Sequence, residues 1–98
     1  IYHCNEIEYE WLRIPHFYNS YYVYKYATGL VSAINIANSI LNNEPSALDN
    51  YMKFLKSGGS DYPTNILENS GVDLKTDKPY EVAFNEMKWA LNELEKLI

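Results

Sequence analysis

The stretch SYYVYKYATGLVSAINIANSILN, Ser20 to Asn42, decides the fold. Its polar residues Lys25, Thr28, Ser32, Asn35, Ser39 and Asn42 recur at intervals of 3, 4, 3, 4 and 3. That spacing draws a narrow polar stripe along a helix whose other faces are apolar or aromatic. It predicts a helix from about Ser20 to Asn42, capped by Asn19 or Ser20. A helix that is apolar around most of its circumference belongs in the interior of a large structure. A chain of 98 residues buries only about two-thirds of its surface, so three short partner helices cannot wrap this one. An exposed apolar helix face that promotes self-association is therefore expected.

Upstream, Asn5 is a plausible N-cap, with Glu6, Glu8 and Glu10 near the positive helix end. Ile7, Trp11 and Ile14 give this first helix an apolar face, and Pro15 disfavours helix at Ile14. Pro15-His16-Phe17-Tyr18 reads as an extended or turning connection. Downstream, Asn42-Asn43-Glu44-Pro45 breaks the long helix. Ser46 to Lys56 resumes with Leu48, Tyr51, Met52 and Leu55 on one face, and Ser57-Gly58-Gly59-Ser60-Asp61 is a turn-rich loop. A short helix opens with Pro63 at its first position and closes at Gly71, a C′ residue. Val72 to Pro79 is a loop. The last helix, about Tyr80 to Leu97, spaces Phe84, Met87, Leu91, Leu94 and Ile98 at 3, 4, 3 and 4. No segment alternates like a strand. The fold class is all-α, with four or five helices in a single unit over residues 1–98.

The 8 Lys+Arg against 13 Asp+Glu leave a net charge of −5, which argues against nucleic acid as a partner. The lone Cys4 cannot form an internal disulfide. Polar residues interrupt the apolar run Tyr21–Leu41 too densely for a membrane span, and no signal peptide is visible, so the cytoplasm is the default. The chain starts at Ile1 rather than Met, which suggests a processed or cut piece.

Chemistry-bearing residues are few. His3, Cys4, Glu6, Glu8, Glu10 and His16 are metal-ligand types, but they lack the CxxC, HxxxH or HExxH spacing by which ligands converge. A self-contained metal site is not expected. Gly58-Gly59-Ser60 lacks the Lys-Ser/Thr ending of a phosphate loop, and Ser57 and Ser60 have no evident base. The informative run is His16 to Tyr26. Five of the ten tyrosines fall between positions 18 and 26. Buried phenols must be hydrogen-bonded, so such a cluster is a costly way to fill a core. Tyr21 and Tyr24, three apart on a helix, can reach one region of space, and His16 can point into it. Imidazole N–H and phenol O–H groups are suitable donors to a developing oxyanion. A packed aromatic cluster is the competing reading.

Trp11-Leu12-Arg13-Ile14-Pro15-His16-Phe17-Tyr18, followed by Tyr22-Val23-Tyr24-Lys25-Tyr26-Ala27-Thr28-Gly29, resembles the C-terminal region of the oligoendopeptidase F family of zinc metallopeptidases, within the thimet-oligopeptidase-like group. The likeness continues through Tyr51-Met52-Lys53-Phe54-Leu55-Lys56-Ser57-Gly58-Gly59-Ser60, Tyr62-Pro63 and Gly71-Val72-Asp73. It implies a C-terminal piece of a larger helical fold that encloses a channel for short peptides. In that family zinc is held by HExxH and a downstream Glu, and the HExxH Glu acts as general base. None of these residues occurs here, so the resemblance implies no cofactor in this chain and zinc in the full-length enzyme. It gives His16 and Tyr24 the oxyanion-binding catalytic roles, with Tyr18 and Tyr21 as substrate contacts. The wider group carries a Gly-rich stretch after this His, where the present chain has only Phe17 to Ser20.

Two readings follow. In the first, the chain is the substrate-binding, oxyanion-stabilising part of an oligopeptidase, inactive alone, and its partners are short peptides and the missing N-terminal part of the same protein. In the second, it is a stand-alone helical interaction module derived from a peptidase.

Overall fold

A reversal of the backbone at Tyr21 determines where the long helix begins. In a computed structural model that describes residues 5–98, Tyr21 takes a φ of 61°. A left-handed tyrosine cannot continue a right-handed helix. The helix, α1, therefore spans Tyr24–Leu41 and starts later than the hydrophobic pattern predicts, with Val23 at its N-cap and no side-chain cap. Neither Asn19 nor Ser20 caps it. Single turns, Tyr22 N–H to the Asn19 carbonyl and Lys25 N–H to the Tyr22 carbonyl, both 3.2 Å, lead into it.

The remaining helices are α2 (Ala47–Ser57), α3 (Pro63–Asn69) and α4 (Lys78–Glu95). The described residues contain no strand, so the all-α expectation holds. Residues Asn5–Arg13 form a 3-10 rather than an α-helix, and Pro15–Tyr18 a second 3-10 turn. The 3-10 repeat stacks side chains three apart, and Arg13 pairs there with Glu10. The α3 terminus follows the reading at Gly71, whose φ is 99°. Val72 N–H bonds the Leu67 carbonyl and Gly71 N–H the Glu68 carbonyl, both at 3.0 Å. These two bonds make a Schellman cap, and the residue that follows the glycine is the one such caps press onto the helix. Val72 is accordingly 2% exposed.

α1 lies at the centre, with α4 on one side and α2 on the other, and α3 packs on α2. Polar side chains of α1 make its hydrogen bonds to α4. Ser32 is buried and donates to the Thr28 carbonyl at 2.8 Å. Asn35 Nδ2 donates to the Val31 carbonyl and, across the interface, to the Pro79 carbonyl, both at 2.8 Å. Asn38 Nδ2 reaches Glu86 Oε2 at 3.2 Å. The apolar residues Leu30 and Leu41 of α1 stay exposed, as do Phe84, Met87, Leu91, Leu94 and Ile98 of the α4 stripe.

The shape is open. The radius of gyration is 17.8 Å over extents of 53 × 40 × 21 Å, against about 13 Å for a compact domain of this length. The accessible surface is 8489 Å², where a compact monomer of this mass would show about 5,800 Å².

Candidate active-site segment

The residues from Ile14 to Tyr26 are shaped by their backbone chemistry. Ile14, before proline, is extended at φ −91°, ψ 106°, and Pro15 opens the 3-10 turn that carries His16. Phe17 N–H closes on the Ile14 carbonyl at 3.2 Å and Asn19 N–H on the His16 carbonyl at 3.4 Å. The Tyr18 hydroxyl donates to the Leu12 carbonyl and ties this turn back to the preceding helix. Glu10, hydrogen-bonded to Arg13, raises the guanidinium pKa further above its ordinary value.

The sequence-predicted site residues are distributed as follows. His16 sits on the 3-10 turn, Tyr18 ends that turn, Tyr21 occupies the left-handed reversal, and Tyr24 is the first residue of α1. Tyr21 and Tyr24 do not share a helix face, because Tyr21 lies outside the helix. Tyr21 is 84% exposed and Tyr24 53%. Neither phenol, nor the His16 imidazole, makes a side-chain hydrogen bond among the described residues. Of the tyrosines in this segment, Tyr18, Tyr21, Tyr24 and Tyr26 are exposed and Tyr22 is half-buried.

The ring that meets His16 is Tyr22, with centroids 5.2 Å apart and planes inclined by 37°. Tyr22 is half-buried, and the Lys25 ammonium lies 4.8 Å from its ring centroid. Sequence reasoning did not single out Tyr22 or Lys25. The spacing from 16 to 22 matches no regular element, and the left-handed Tyr21 lies between the two residues.

Beside this segment, a groove of about 580 Å³ runs along α1 from Lys25 to Ile40. The small residues Gly29, Ala33 and Ala37 form its floor, and Phe54, Leu55 and Leu67 form its far wall. No group of three or more His, Cys, Asp or Glu among the described residues could hold a metal ion, and His3 and Cys4 lie outside them. No helix among them is long and apolar enough to cross a membrane.

Residues 3–86 match the model of peptidase family M3. The chain belongs to peptidase family M3. It is 45% identical over 92 residues to the group B oligopeptidase PepB of Streptococcus agalactiae, covering 94% of this chain and 15% of that protein. It is 45% identical over 93 residues to the oligopeptidase PepF of Bacillus subtilis, covering 95% of this chain and 14% of that one. The crystal structure of oligoendopeptidase F from Enterococcus faecium superposes with a TM-score of 0.89 at 49% identity, over 94% of this chain and 18% of the other. The M3 chain described here thus spans between 14% and 18% of the length of these relatives. The likeness to oligoendopeptidase F read from Trp11 to Asp73 is borne out by family, relatives and fold alike.

Proposed function

We propose that this chain is the C-terminal, substrate-binding and oxyanion-stabilising part of an oligopeptidase that hydrolyses short peptides. The observation that carries the reading is the outward-facing imidazole and phenol set of His16, Tyr21 and Tyr24, free of internal hydrogen bonds among the described residues, within the span matched to family M3. Hydrolysis of a peptide bond turns the carbonyl into a tetrahedral centre whose oxygen becomes negative. The His16 N–H and Tyr24 O–H donate to that oxygen, and donors held in place beforehand favour the transition state over the substrate. Tyr21 contacts the peptide. The Tyr18 hydroxyl already donates to Leu12, so Tyr18 meets substrate through its ring or as an acceptor.

The described residues do not fit a metal site. The zinc of such an enzyme is held by the part of the polypeptide that the relatives possess beyond this span, and no step through it is assigned to residues here. The same missing part covers the open faces of α1 and α4. The excess of exposed surface, about 2,700 Å² over a compact monomer, is several times the ~800 Å² that one side of a standard interface buries. We place the enzyme in the cytoplasm, with no nucleic-acid or membrane partner.

The test uses the Enterococcus faecium enzyme with this chain substituted for its matching segment. In that hybrid, Tyr24→Phe lowers kcat by about 10²–10³ while KM and zinc content stay unchanged. An unaltered kcat removes the role of Tyr24. If His16→Ala is equally silent, the segment serves only for packing or protein interaction.

A further inference from the structure

We propose that Tyr22 is a positioning residue that holds the His16 imidazole in its working orientation through ring contact; the inference rests on the oligopeptidase reading above. His16 stands on a four-residue 3-10 turn and is exposed, so its own surroundings leave the imidazole free to rotate. Its ring contact among the described residues is with Tyr22, at 5.2 Å between centroids and 37° between planes. This separation and tilt lie in the range where aromatic pairs attract beyond simple area burial.

Tyr22 is itself anchored. Its carbonyl accepts the Lys25 N–H at 3.2 Å, and the Lys25 ammonium lies 4.8 Å from its ring centroid. A cation at that distance is drawn to the electron-rich face of the ring. The first turn of α1 therefore reaches His16 in two steps, through Lys25 and then Tyr22. The left-handed Tyr21 lies between residues 16 and 22. The Tyr22 hydroxyl makes no side-chain hydrogen bond among the described residues. The ring rather than the hydroxyl is the working part, in contrast to Tyr24. An imidazole held in one plane aims its N–H at a fixed point, and misaiming a donor weakens transition-state stabilisation more than substrate binding.

The experiment uses the hybrid enzyme with a short fluorogenic peptide, together with NMR of its histidine ring protons; the His16 signals are assigned by their loss in His16→Ala. Tyr22→Phe keeps kcat within about twofold and leaves the His16 ring-proton shifts in place. Tyr22→Leu lowers kcat by about three- to tenfold, the worth of one aromatic pair, with KM unchanged and the His16 proton shifts moved as the ring current is lost. Wild-type kcat in Tyr22→Leu overturns the proposal. So does a loss of kcat without movement of the His16 signals, or an equal loss in Tyr22→Phe. If His16→Ala keeps full activity, the catalytic role of His16 falls, and that of Tyr22 with it. A His16→Ala defect beside a silent Tyr22→Leu leaves the former standing and refutes the latter alone.

Discussion

Tyr21 and Gly71 both adopt positive φ, at 61° and 99°, and their chemistry differs in an informative way. Glycine enters this region without penalty, whereas tyrosine is strained there by an amount on the order of 1–2 kcal/mol. Strain of this kind persists where the surroundings enforce it, and it collects at functional sites. Gly71→Ala is expected to destabilise the hybrid enzyme by about 1 kcal/mol, read from chemical denaturation, because the Schellman cap of α3 needs the left-handed residue. Tyr21→Gly is expected to leave stability equal or higher by a similar amount while raising KM, since the exposed phenol is lost. A fall in stability on Tyr21→Gly would show that the phenol packs rather than binds. Gly71 was legible as punctuation because glycine advertises its backbone. Tyr21 was not, because nothing in a tyrosine signals left-handed φ, and this one residue accounts for the late start of α1.

The helices themselves were legible from periodicity, since α1 to α4 lie within a few residues of their expected spans. Which face meets which neighbour was not. The 3–4 spacing of Thr28, Ser32 and Asn35 reads equally as a solvated stripe or as a packed one. In the structure Thr28 and Ser32 bond carbonyls of their own helix, and Asn35 alone of the three also reaches across to the Pro79 carbonyl. Asn35→Leu would leave the Pro79 carbonyl without its donor, at a cost of about 1–3 kcal/mol if it stays buried. Faster amide exchange along α4 than along α2 is the expected sign of its detachment. Gly29 provides a second test. A Cβ there meets no atom within 4 Å. In the 98-residue chain Gly29→Ala therefore increases helicity, in line with the roughly 1 kcal/mol propensity gain of alanine, as seen in far-ultraviolet circular dichroism. In the hybrid enzyme the same change lowers stability if a neighbouring helix fills the groove, and raises it if the groove is open.

At the scale of the whole molecule, the 17.8 Å radius and 8489 Å² surface describe an open arrangement that leaves large apolar residues of α1 and α4 exposed. That much was foreseeable from the over-apolar helix in a short chain. Among the described residues, deep burial is confined to Val72, Ser32 and Pro79. The chain by itself is expected to associate through the open faces of α1 and α4 and to bind hydrophobic dyes. Sedimentation that shows a monomer at all concentrations would contradict this. In the full-length enzyme proposed above, the polypeptide that the relatives carry beyond this span would cover these faces instead. The exposed ion pair of Lys75 with Glu68 at 2.8 Å is screened by solvent and contributes little to stability.

The claim on which all scales converge is that the aromatic segment binds the tetrahedral oxyanion. Its most direct measurement is the inhibition constant of a phosphonate peptide, whose anionic tetrahedral oxygens imitate that species, against the hybrid enzyme and its Tyr24→Phe variant. The account predicts that phosphonate affinity falls in parallel with kcat/KM, by about 10²-fold or more, while the KM of the matching peptide is preserved. Equal phosphonate affinity in both proteins would contradict it.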